Sequence, residues 1–359
     1  MCYNGEPTDF TIMENTFSRP ATSSPSTTEL RLRSRRRLLP PTVNLIKTNI
    51  SESRLRNEER LEEFRPVTRQ DMPRIWSILH GEKGRTTDFS YGGLLMWVNY
   101  FNYEFAILKN TLFIRGLVEN DRETPAFSLP VGELPLSESI PMIKDYCRRK
   151  GMKCELSAVP EYAMQELSLL SPSYTEELTD WADYLYDAEP LATLKGKKMS
   201  KKRNHVNRFN ALYPEWTLED MTPGNASEAM DFMDIFDLEG DNTRMAISER
   251  HLTRELIGHV MAGDNELKGA LLKVGGQVAA FTIGDIKGDT LFVHVEKATR
   301  NIEGSYEKIN QAFAARMMER YPQIRFINRE DDAGDEGLRK AKESYHPVEK
   351  LKKYNVIFG

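Results

Sequence analysis

A histidine and a glutamate two residues apart form one candidate for acid–base chemistry in this sequence. His294 and Glu296 lie in the segment 289–298, whose apolar residues alternate as they do in a strand. Side chains at this spacing on a regular strand share a face and lie roughly 7 Å apart. Such a pair could take the proton of an amine or hydroxyl nucleophile. The same spacing also fits a His–Glu hydrogen bond with a structural role, so both interpretations stay open.

A second polar segment contains Asn328, Arg329, Glu330 and Asp332. On a strand, Asn328 and Glu330 would share one face, and Arg329 would point the other way. The acidic residues could hold a substrate ammonium or a metal ion, or they could form a solvated loop that caps the next helix. We also expect Lys297, which alternation places among valines, to pair with a carboxylate of this segment.

The segment 195–216 concentrates positive charge in an otherwise acidic chain. On a helix, one apolar stripe would contain Met199, Val206, Phe209 and Tyr213, and Lys202 falls inside that stripe. A cation that faces inward must reach an anion or solvent, because an unpaired buried charge is costly. The segment is therefore either a solvated basic helix or a helix that presents cations to an anionic substrate.

Further candidates for substrate binding lie in the same basic helix and near the end of the chain. The residues 337–345 predict a helix that is either an amphipathic surface helix or a source of phosphate contacts, with Leu338, Ala341 and Tyr345 facing the core. The additional candidates are Arg203, Asn204, Arg339, Lys340, Lys342 and Tyr345.

The bulk composition limits the classes of function. The 359 residues include 49 Lys+Arg and 54 Asp+Glu, for a net charge of -5, so a polyanion would have to meet a local basic patch. The three cysteines provide no disulfide framework and no zinc-ligand spacing, which is typical of a reducing compartment. No apolar run approaches the roughly 18 residues of a membrane span. We expect a cytoplasmic protein that reaches any lipid from the membrane surface.

The order of predicted elements indicates an internal duplication. Residues 1–58 are rich in Ser, Thr, Pro and Arg and read as a disordered basic tail. Residues 59–188 and 189–359 each show helices, three antiparallel strands, a helix, a strand, a helix and a further strand. We predict an α+β protein with two tandem domains, each a mixed, mostly antiparallel sheet flanked by helices. The first domain would be a scaffold, and the second would hold the active site.

Six sequence blocks carry a family resemblance. They are YLYD (184–187), KKRNHVNRF (201–209), FTIGD (281–285), HVEKA (294–298), INREDD (327–332) and GLRKAKESYHP (337–347). Together they resemble an uncharacterised soluble family related to the phosphatidylglycerol lysyltransferase C-terminal domain. That resemblance implies two tandem N-acetyltransferase-like domains, the layout also found in peptidoglycan-bridge aminoacyltransferases.

The resemblance implies transfer of an aminoacyl group from aminoacyl-tRNA to an amine or hydroxyl, such as a lipid headgroup. The expected partners are tRNA and, peripherally, the inner face of a membrane, and the tRNA phosphates would meet Lys202, Arg203, Arg208, Arg339 and Lys342. Two alternatives stay open: an acyl-CoA-dependent N-acyltransferase, and a non-catalytic module that binds an anionic ligand or RNA. No cofactor other than the donor is implied, and we expect no metal site.

Overall fold

The structure is a computed structural model that describes residues 60–118, 121–238 and 244–359. The predicted tail at 1–58 lies outside these ranges. The described residues belong to one compact unit. None of its helices, within those ranges, is long and apolar enough to cross a membrane.

The strands form two mixed sheets. In chain order they are β1 (Arg65–Pro66), β2 (Glu104–Leu108), β3 (Thr111–Val118), β4 (Asp121–Phe127), β5 (Val131–Gly132), β6 (Cys154–Pro160), β7 (Tyr174–Glu177), β8 (Asp183–Asp187), β9 (Thr217–Asp220), β10 (Lys268–Val274), β11 (Gln277–Lys287), β12 (Thr290–Ala298), β13 (Phe326–Asn328), β14 (Glu349–Leu351) and β15 (Lys353–Phe358). The first sheet has the order β1-β2-β3-β4-β6-β15-β7, with β5 beside β3, and the second has the order β14-β8-β13-β12-β11-β10-β9. Each sheet has one parallel pair, β4 with β6 and β12 with β13.

Helices cover the sheets. They are α1 (Met72–Leu79), α2 (Tyr91–Trp97), α3 (Leu136–Lys150), α4 (Glu161–Ser168), α5 (Ala188–Thr193), α6 (Ser200–Leu212), α7 (Ser227–Leu238), α8 (Arg244–Met261), α9 (Ser305–Arg320) and α10 (Glu336–Glu343). In each half a long helix, α3 or α9, connects the two parallel strands. The predicted architecture, α+β with two mixed sheets flanked by helices, is confirmed.

The two sheets exchange one strand each. β8 follows the first half of the chain but lies between β14 and β13 of the second sheet, and β15 ends the chain but lies between β6 and β7 of the first. Residues 181–194 therefore do more than connect the two halves, because Asp183, Tyr184 and Tyr186 lie in a buried strand. This exchange crosses the expected boundary at 188/189, and the division into scaffold and catalytic domains stays a prediction.

The hydrophobic core follows from these layers. One cluster joins the helices of the first half to Phe281, Ile283 and Val295 on one face of the second sheet. The opposite face packs on α5, α6 and α9 through Leu291, Val293 and Phe313, among others. Two positive-φ residues, Lys109 and Asn110, form the tight turn between β2 and β3.

Two predicted faces can be compared with the structure. The stripe on α6 is confirmed, because Met199, Val206 and Phe209 are buried. The core-facing stripe predicted around α10 is confirmed at Tyr345, which is buried. It is wrong at Leu338, which is 43% exposed, and at Ala341, which is also exposed; the helix buries Lys342 instead.

Candidate functional site

The two parallel strands of the second sheet separate soon after they begin. β12 pairs with β13 at three positions, the last of which joins Phe292 to Asn328. β12 then continues to Ala298, whereas β13 ends. Two ion pairs cross this strand gap: His294 with Glu330, and Glu296 with Arg329. The gap therefore brings together the two polar segments that the sequence singled out.

A β-bulge decides which face each of these side chains occupies. Ile283 pairs with Val295 but the next residue, Gly284, pairs with Val293, so His294 is an extra residue on β12. Only glycine fits opposite the bulge, because a Cβ at Gly284 would lie 2.1 Å from the carbonyl oxygen of Phe292. The bulge interrupts the alternation, so Val293 packs towards α9 and Val295 packs towards α7 and α8.

The expected shared face of His294 and Glu296 is therefore wrong. His294 meets Asp285 and Glu330, whereas Glu296 meets Arg329 and the α9 side chain Asn310. The two predicted catalytic residues lie on opposite faces of the sheet, and they do not hydrogen-bond to each other.

His294 is sealed between two carboxylates. Its Nε2 lies 2.5 Å from Asp285 Oδ1 and its Nδ1 lies 2.8 Å from Glu330 Oε1, and its side chain is 0% exposed. Burial by itself lowers the pKa of His294, but the hydrogen bonds and charges of the two carboxylates raise it to about 10. Both ring nitrogens therefore carry protons at neutral pH. An imidazolium held in this way has no lone pair for a substrate proton.

The first half of the chain builds the other side of this buried site. Asp285 accepts hydrogen bonds from the backbone N–H groups of Tyr91 and Gly92 at the start of α2, at 3.3 and 2.9 Å. A Cβ at Gly92 would lie 2.5 Å from His294 Cδ2, so glycine lets the helix approach the ring. The amides at a helix N-terminus favour the negative charge of Asp285.

A buried polar network extends the contact between the halves. Asn328 donates to Asp183 Oδ2 at 2.9 Å and to the carbonyl of Arg85 at 2.6 Å. Lys353, 1% exposed, forms an ion pair with Asp183 at 2.8 Å. Asn328 therefore has a structural position, because its amide is used entirely within the protein.

The opposite face of the gap carries a largely buried group of charged side chains beside α6 and α9. Arg329 Nη2 donates to Glu296 Oε1 at 2.9 Å, and Asn310 Nδ2 donates to Glu296 Oε2 at 3.2 Å. Lys202 Nζ lies 3.4 Å from Glu307 Oε1, so the misfit lysine of the basic helix reaches an anion. We call the site formed by Lys202, Glu296, Glu307, Asn310, Arg329 and Tyr345 the Glu296 cleft.

The ring of Tyr345 contacts both cations of the Glu296 cleft. Lys202 Nζ lies 4.1 Å from the ring centroid and Arg329 Cζ lies 4.8 Å from it, both within cation–π range. Burial lowers the pKa of Lys202, and Glu307 opposes that effect. Burial raises the pKa of Tyr345, so its phenol is neutral at pH 7.

Two buried atoms of the Glu296 cleft have no hydrogen-bond partner among the described residues: Asn310 Oδ1, an acceptor, and Arg329 Nη1, a donor. Buried polar atoms are nearly always satisfied in folded proteins. A ligand group that reached them would have to donate to Asn310 Oδ1 and accept from Arg329 Nη1.

Two further predicted binding residues, Lys297 and Arg203, form contacts within the protein, and a third, Asn204, is exposed. Lys297 pairs with Glu249 of α8 at 2.5 Å, and not with the 328–332 segment as expected. Arg203 donates to the carbonyls of Leu194 and Gly196. Asn204 lies exposed on α6.

The predicted binding residues on α10 mainly contact the segment that precedes this helix. Asp332 accepts hydrogen bonds from Arg339 and from the hydroxyl of Tyr184, and the guanidinium of Arg339 holds the pKa of Asp332 at about 2. Lys342 is buried and donates to the carbonyl of Arg329 at 2.6 Å. Lys340 remains exposed and pairs with Glu336 one turn away.

Sequence reasoning missed Asp285, Glu307 and Asn310. A signal existed for the first of them, because Gly284 inside an otherwise apolar strand indicates a bulge or a close backbone approach next to Asp285. Asn310 stands next to Ile309 on the buried side of α9, and a polar residue there needs a partner. Glu307 carries no distinguishing signal in a helix with several charges.

Comparisons with known proteins agree with the fold. A protein of unknown function from Bacteroides thetaiotaomicron is 32% identical, and the alignment covers 83% of this chain and 100% of that chain with a TM-score of 0.75. The structure of L-PGS from Bacillus licheniformis is 14% identical, with coverage of 83% and 94% and a TM-score of 0.60, which shows a shared fold.

A third relative, an uncharacterised protein from Mycoplasmoides gallisepticum, is 24% identical over 196 residues. That alignment spans 53% of this chain and 61% of the relative's own length, which is less than two thirds. The family model described as phosphatidylglycerol lysyltransferase, C-terminal, matches residues 82–357. Because this match covers well over half of the chain, the protein belongs to the family of phosphatidylglycerol lysyltransferase C-terminal domains, a family of aminoacyltransferases.

Proposed function

We propose that the chain transfers an aminoacyl group from aminoacyl-tRNA to an amine or hydroxyl acceptor, such as a lipid headgroup, in the Glu296 cleft. The observation that carries this proposal is the pair of unpartnered buried atoms, Asn310 Oδ1 and Arg329 Nη1, beside the Glu296–Arg329 ion pair. An aminoacyl ester presents both a donor, its α-ammonium, and an acceptor, its carbonyl oxygen. These groups match the two free atoms.

The charges of the cleft suit this substrate. The α-ammonium would lie between Asn310 Oδ1 and the carboxylate of Glu296. The ester carbonyl would accept from Arg329 Nη1, whose buried positive charge stabilises the oxyanion that forms when the carbonyl carbon is attacked. The side chain of Arg329 is only 14% exposed, so this charge acts where water screens it little.

The transfer needs two proton movements. The acceptor's nitrogen or oxygen attacks the ester carbon, and Glu296 takes the proton that the nucleophile loses. The bond between the carbonyl carbon and the ribose oxygen then breaks, and Lys202 gives a proton to that oxygen. Burial lowers the pKa of Lys202, which makes it a better acid than an exposed lysine.

The start of α9 supports aminoacyl-tRNA over acyl-CoA as donor. In acetyl-CoA families a glycine-containing loop cradles the pyrophosphate at this junction. Here Glu303 is paired with Arg208 at 2.9 Å, and a Cβ at Gly304 would lie 2.9 Å from the carbonyl of His205. An acidic side chain and a closely packed α6 leave little room for an anion.

With a lipid acceptor, the chain would act as a peripheral cytoplasmic protein at the inner face of a membrane. The test is transfer of radiolabel from each aminoacyl-tRNA to lipid or peptide extracts. We expect label to move from at least one donor, and Glu296→Gln to reduce the rate by about 100-fold. The matched control is Glu349→Gln, because Glu349 is an exposed carboxylate of β14.

Parallel reactions with labelled acyl-CoA distinguish the alternatives. Label that moves only from acyl-CoA would favour the N-acyltransferase. Label that stays on every donor, with RNA or another anion still bound, would favour a non-catalytic binding module and overturn the proposal.

A further inference from the structure

Four exposed lysines precede and begin α6: Lys195, Lys197, Lys198 and Lys201. We call them the basic ridge. Within the described residues, none of their ammonium groups forms an ion pair or a hydrogen bond. Other cations around the Glu296 cleft are occupied, for example Arg208 by Glu303 and Arg339 by Asp332. Four neighbouring positive charges repel one another unless an anion or solvent screens them.

The chain that carries the basic ridge is fixed in position. Arg203 spans it from α6 by donating to the carbonyls of Leu194 at 2.6 Å and Gly196 at 3.1 Å. Leu194 and Gly196 both have positive φ angles, and Met199 anchors the turn in the core with 4% exposure. The ridge is therefore a preorganised surface, which lowers the entropy cost of binding a partner.

The basic ridge and the Glu296 cleft are neighbours along the chain. Lys201, on the ridge, is followed directly by Lys202, whose Nζ lies inside the cleft beside Glu307 and Tyr345. The ridge and the cleft therefore share the first turn of α6.

We propose that the basic ridge binds the phosphate backbone of the donor RNA next to its aminoacylated end. This inference rests on the proposed function, since it takes aminoacyl-tRNA as the donor. It also differs from the sequence expectation, because Arg203, Arg339 and Lys342 are used by protein carbonyls and carboxylates. The proposal assigns the phosphate contacts to lysines that have no partner within the described residues.

The ridge fits RNA better than a membrane surface. Segments that lie in a membrane interface expose apolar side chains on one face and cations on the other. Between 194 and 206 the large apolar side chains are Leu194, Met199 and Val206, and all three are buried. The segment offers charge without anything to insert into lipid.

The test measures binding of a fluorescent RNA hairpin, which copies a tRNA acceptor stem, to the full chain by anisotropy. Lys197→Glu/Lys201→Glu should weaken binding at 100 mM salt at least about tenfold. The slope of log Kd against log salt should fall by about two, because each phosphate contact contributes roughly 0.7 to 0.9. The matched control, Lys83→Glu/Lys150→Glu, changes charge equally on exposed lysines elsewhere and should bind within about twofold of the unsubstituted chain.

Two further arms separate this proposal from the proposed function. Glu296→Gln should bind the hairpin normally while losing transfer. Hairpin binding that depends on the ridge lysines, with no transfer from any donor, would defeat only the proposed function. Unchanged hairpin binding by Lys197→Glu/Lys201→Glu would overturn the ridge proposal even if transfer occurs. The ridge proposal would also be overturned if Lys197→Glu/Lys201→Glu lost binding to phosphatidylglycerol vesicles but kept RNA binding. That result would assign the ridge to membrane contact.

Discussion

Arg329 Nη2 lies 2.9 Å from Glu296 Oε1, and this ion pair bridges the gap between β12 and β13. Its side chains are 14% and 9% exposed, so both charges have lost most of their hydration. Burying such a pair gives little net stability, because desolvation offsets the attraction. Well-packed apolar residues would hold the strands as firmly. The position of the pair is better explained by the substrate it would face.

We predict that Glu296→Gln destabilises the protein by about 3 kcal/mol, because it leaves the guanidinium of Arg329 buried without a counter-charge. Replacing both partners, as in Glu296→Met/Arg329→Met, should recover most of this loss and still abolish transfer. Urea unfolding measures the first effect and label transfer the second. A double variant as unstable as the single one would show that the pair itself supports the fold.

The buried His294 predicts a pH dependence of stability. Its folded-state pKa of about 10 lies above the usual value near 6.5. The stability that it contributes is therefore complete below about pH 6.5 and is lost as pH rises towards 10. In that window the folded state binds one more proton, so this group lowers the unfolding free energy by about 1.4 kcal/mol per pH unit.

Urea unfolding between pH 6.5 and 10 checks this prediction with two variants. His294→Gln should be less stable at pH 7 and should lose this slope. The exposed His251→Gln should keep it, because His251 is partnered only by Glu255 at 3.5 Å. A His294→Gln variant whose stability falls with pH as steeply as that of the unsubstituted chain would contradict the assignment.

The succession of elements along the chain and the buried face of α6 could be predicted from the sequence, because they follow from residue periodicity and turn residues. Lys109 and Asn110 mark a hairpin turn, and Met199 and Phe209 mark a buried helix face. The side-chain faces of β12 after His294 could not be predicted by the same rule. The bulge opposite Gly284 adds one residue to β12, and this reverses the face of each side chain that follows.

The candidate site shows the same limit. Alternation correctly placed Arg329 on the face opposite Asn328 and Glu330. It could not show that Asp285 would form a hydrogen bond with His294. Local sequence patterns could not predict the strand exchange either, because the position of β8 beside β13 depends on pairing between distant segments. Contacts between distant parts of the chain decide these features, and a single sequence does not report them.

Lys308 should give a pH dependence of stability opposite in sign to that of His294. It is 4% exposed and its Nζ lies 3.5 Å from the ring centroid of Trp216, and no described carboxylate pairs with it. Burial lowers its pKa to about 8. Because the unfolded chain keeps the ordinary pKa near 10.5, the unfolded state binds more protons between these values. The contribution of Lys308 to stability therefore rises with pH from about 8 to 10.5.

We accordingly expect Lys308→Met to increase the unfolding free energy at pH 7 by about 1 to 3 kcal/mol, because the variant buries no charge. Urea unfolding at pH 7 and at pH 10.5 measures the gain, which should shrink at the higher pH. Lys83→Met, at an exposed position, serves as the control and should have little effect at either pH. A loss of stability in Lys308→Met at pH 7 would show that the contact with Trp216 outweighs the desolvation.

Tyr345 tests whether the cations of the Glu296 cleft need an aromatic ring beside them. Tyr345→Phe keeps the ring near Lys202 and Arg329, so transfer should stay within about threefold of the unsubstituted chain. Tyr345→Leu removes two cation–π contacts worth about 1 kcal/mol each, and kcat/KM should fall by about tenfold or more. The control is Tyr174→Leu on the exposed edge strand β7, where the residue is 54% exposed. Equal losses in Tyr345→Phe and Tyr345→Leu would instead assign the role to the hydroxyl, because the hydroxyl is the only group that both changes remove.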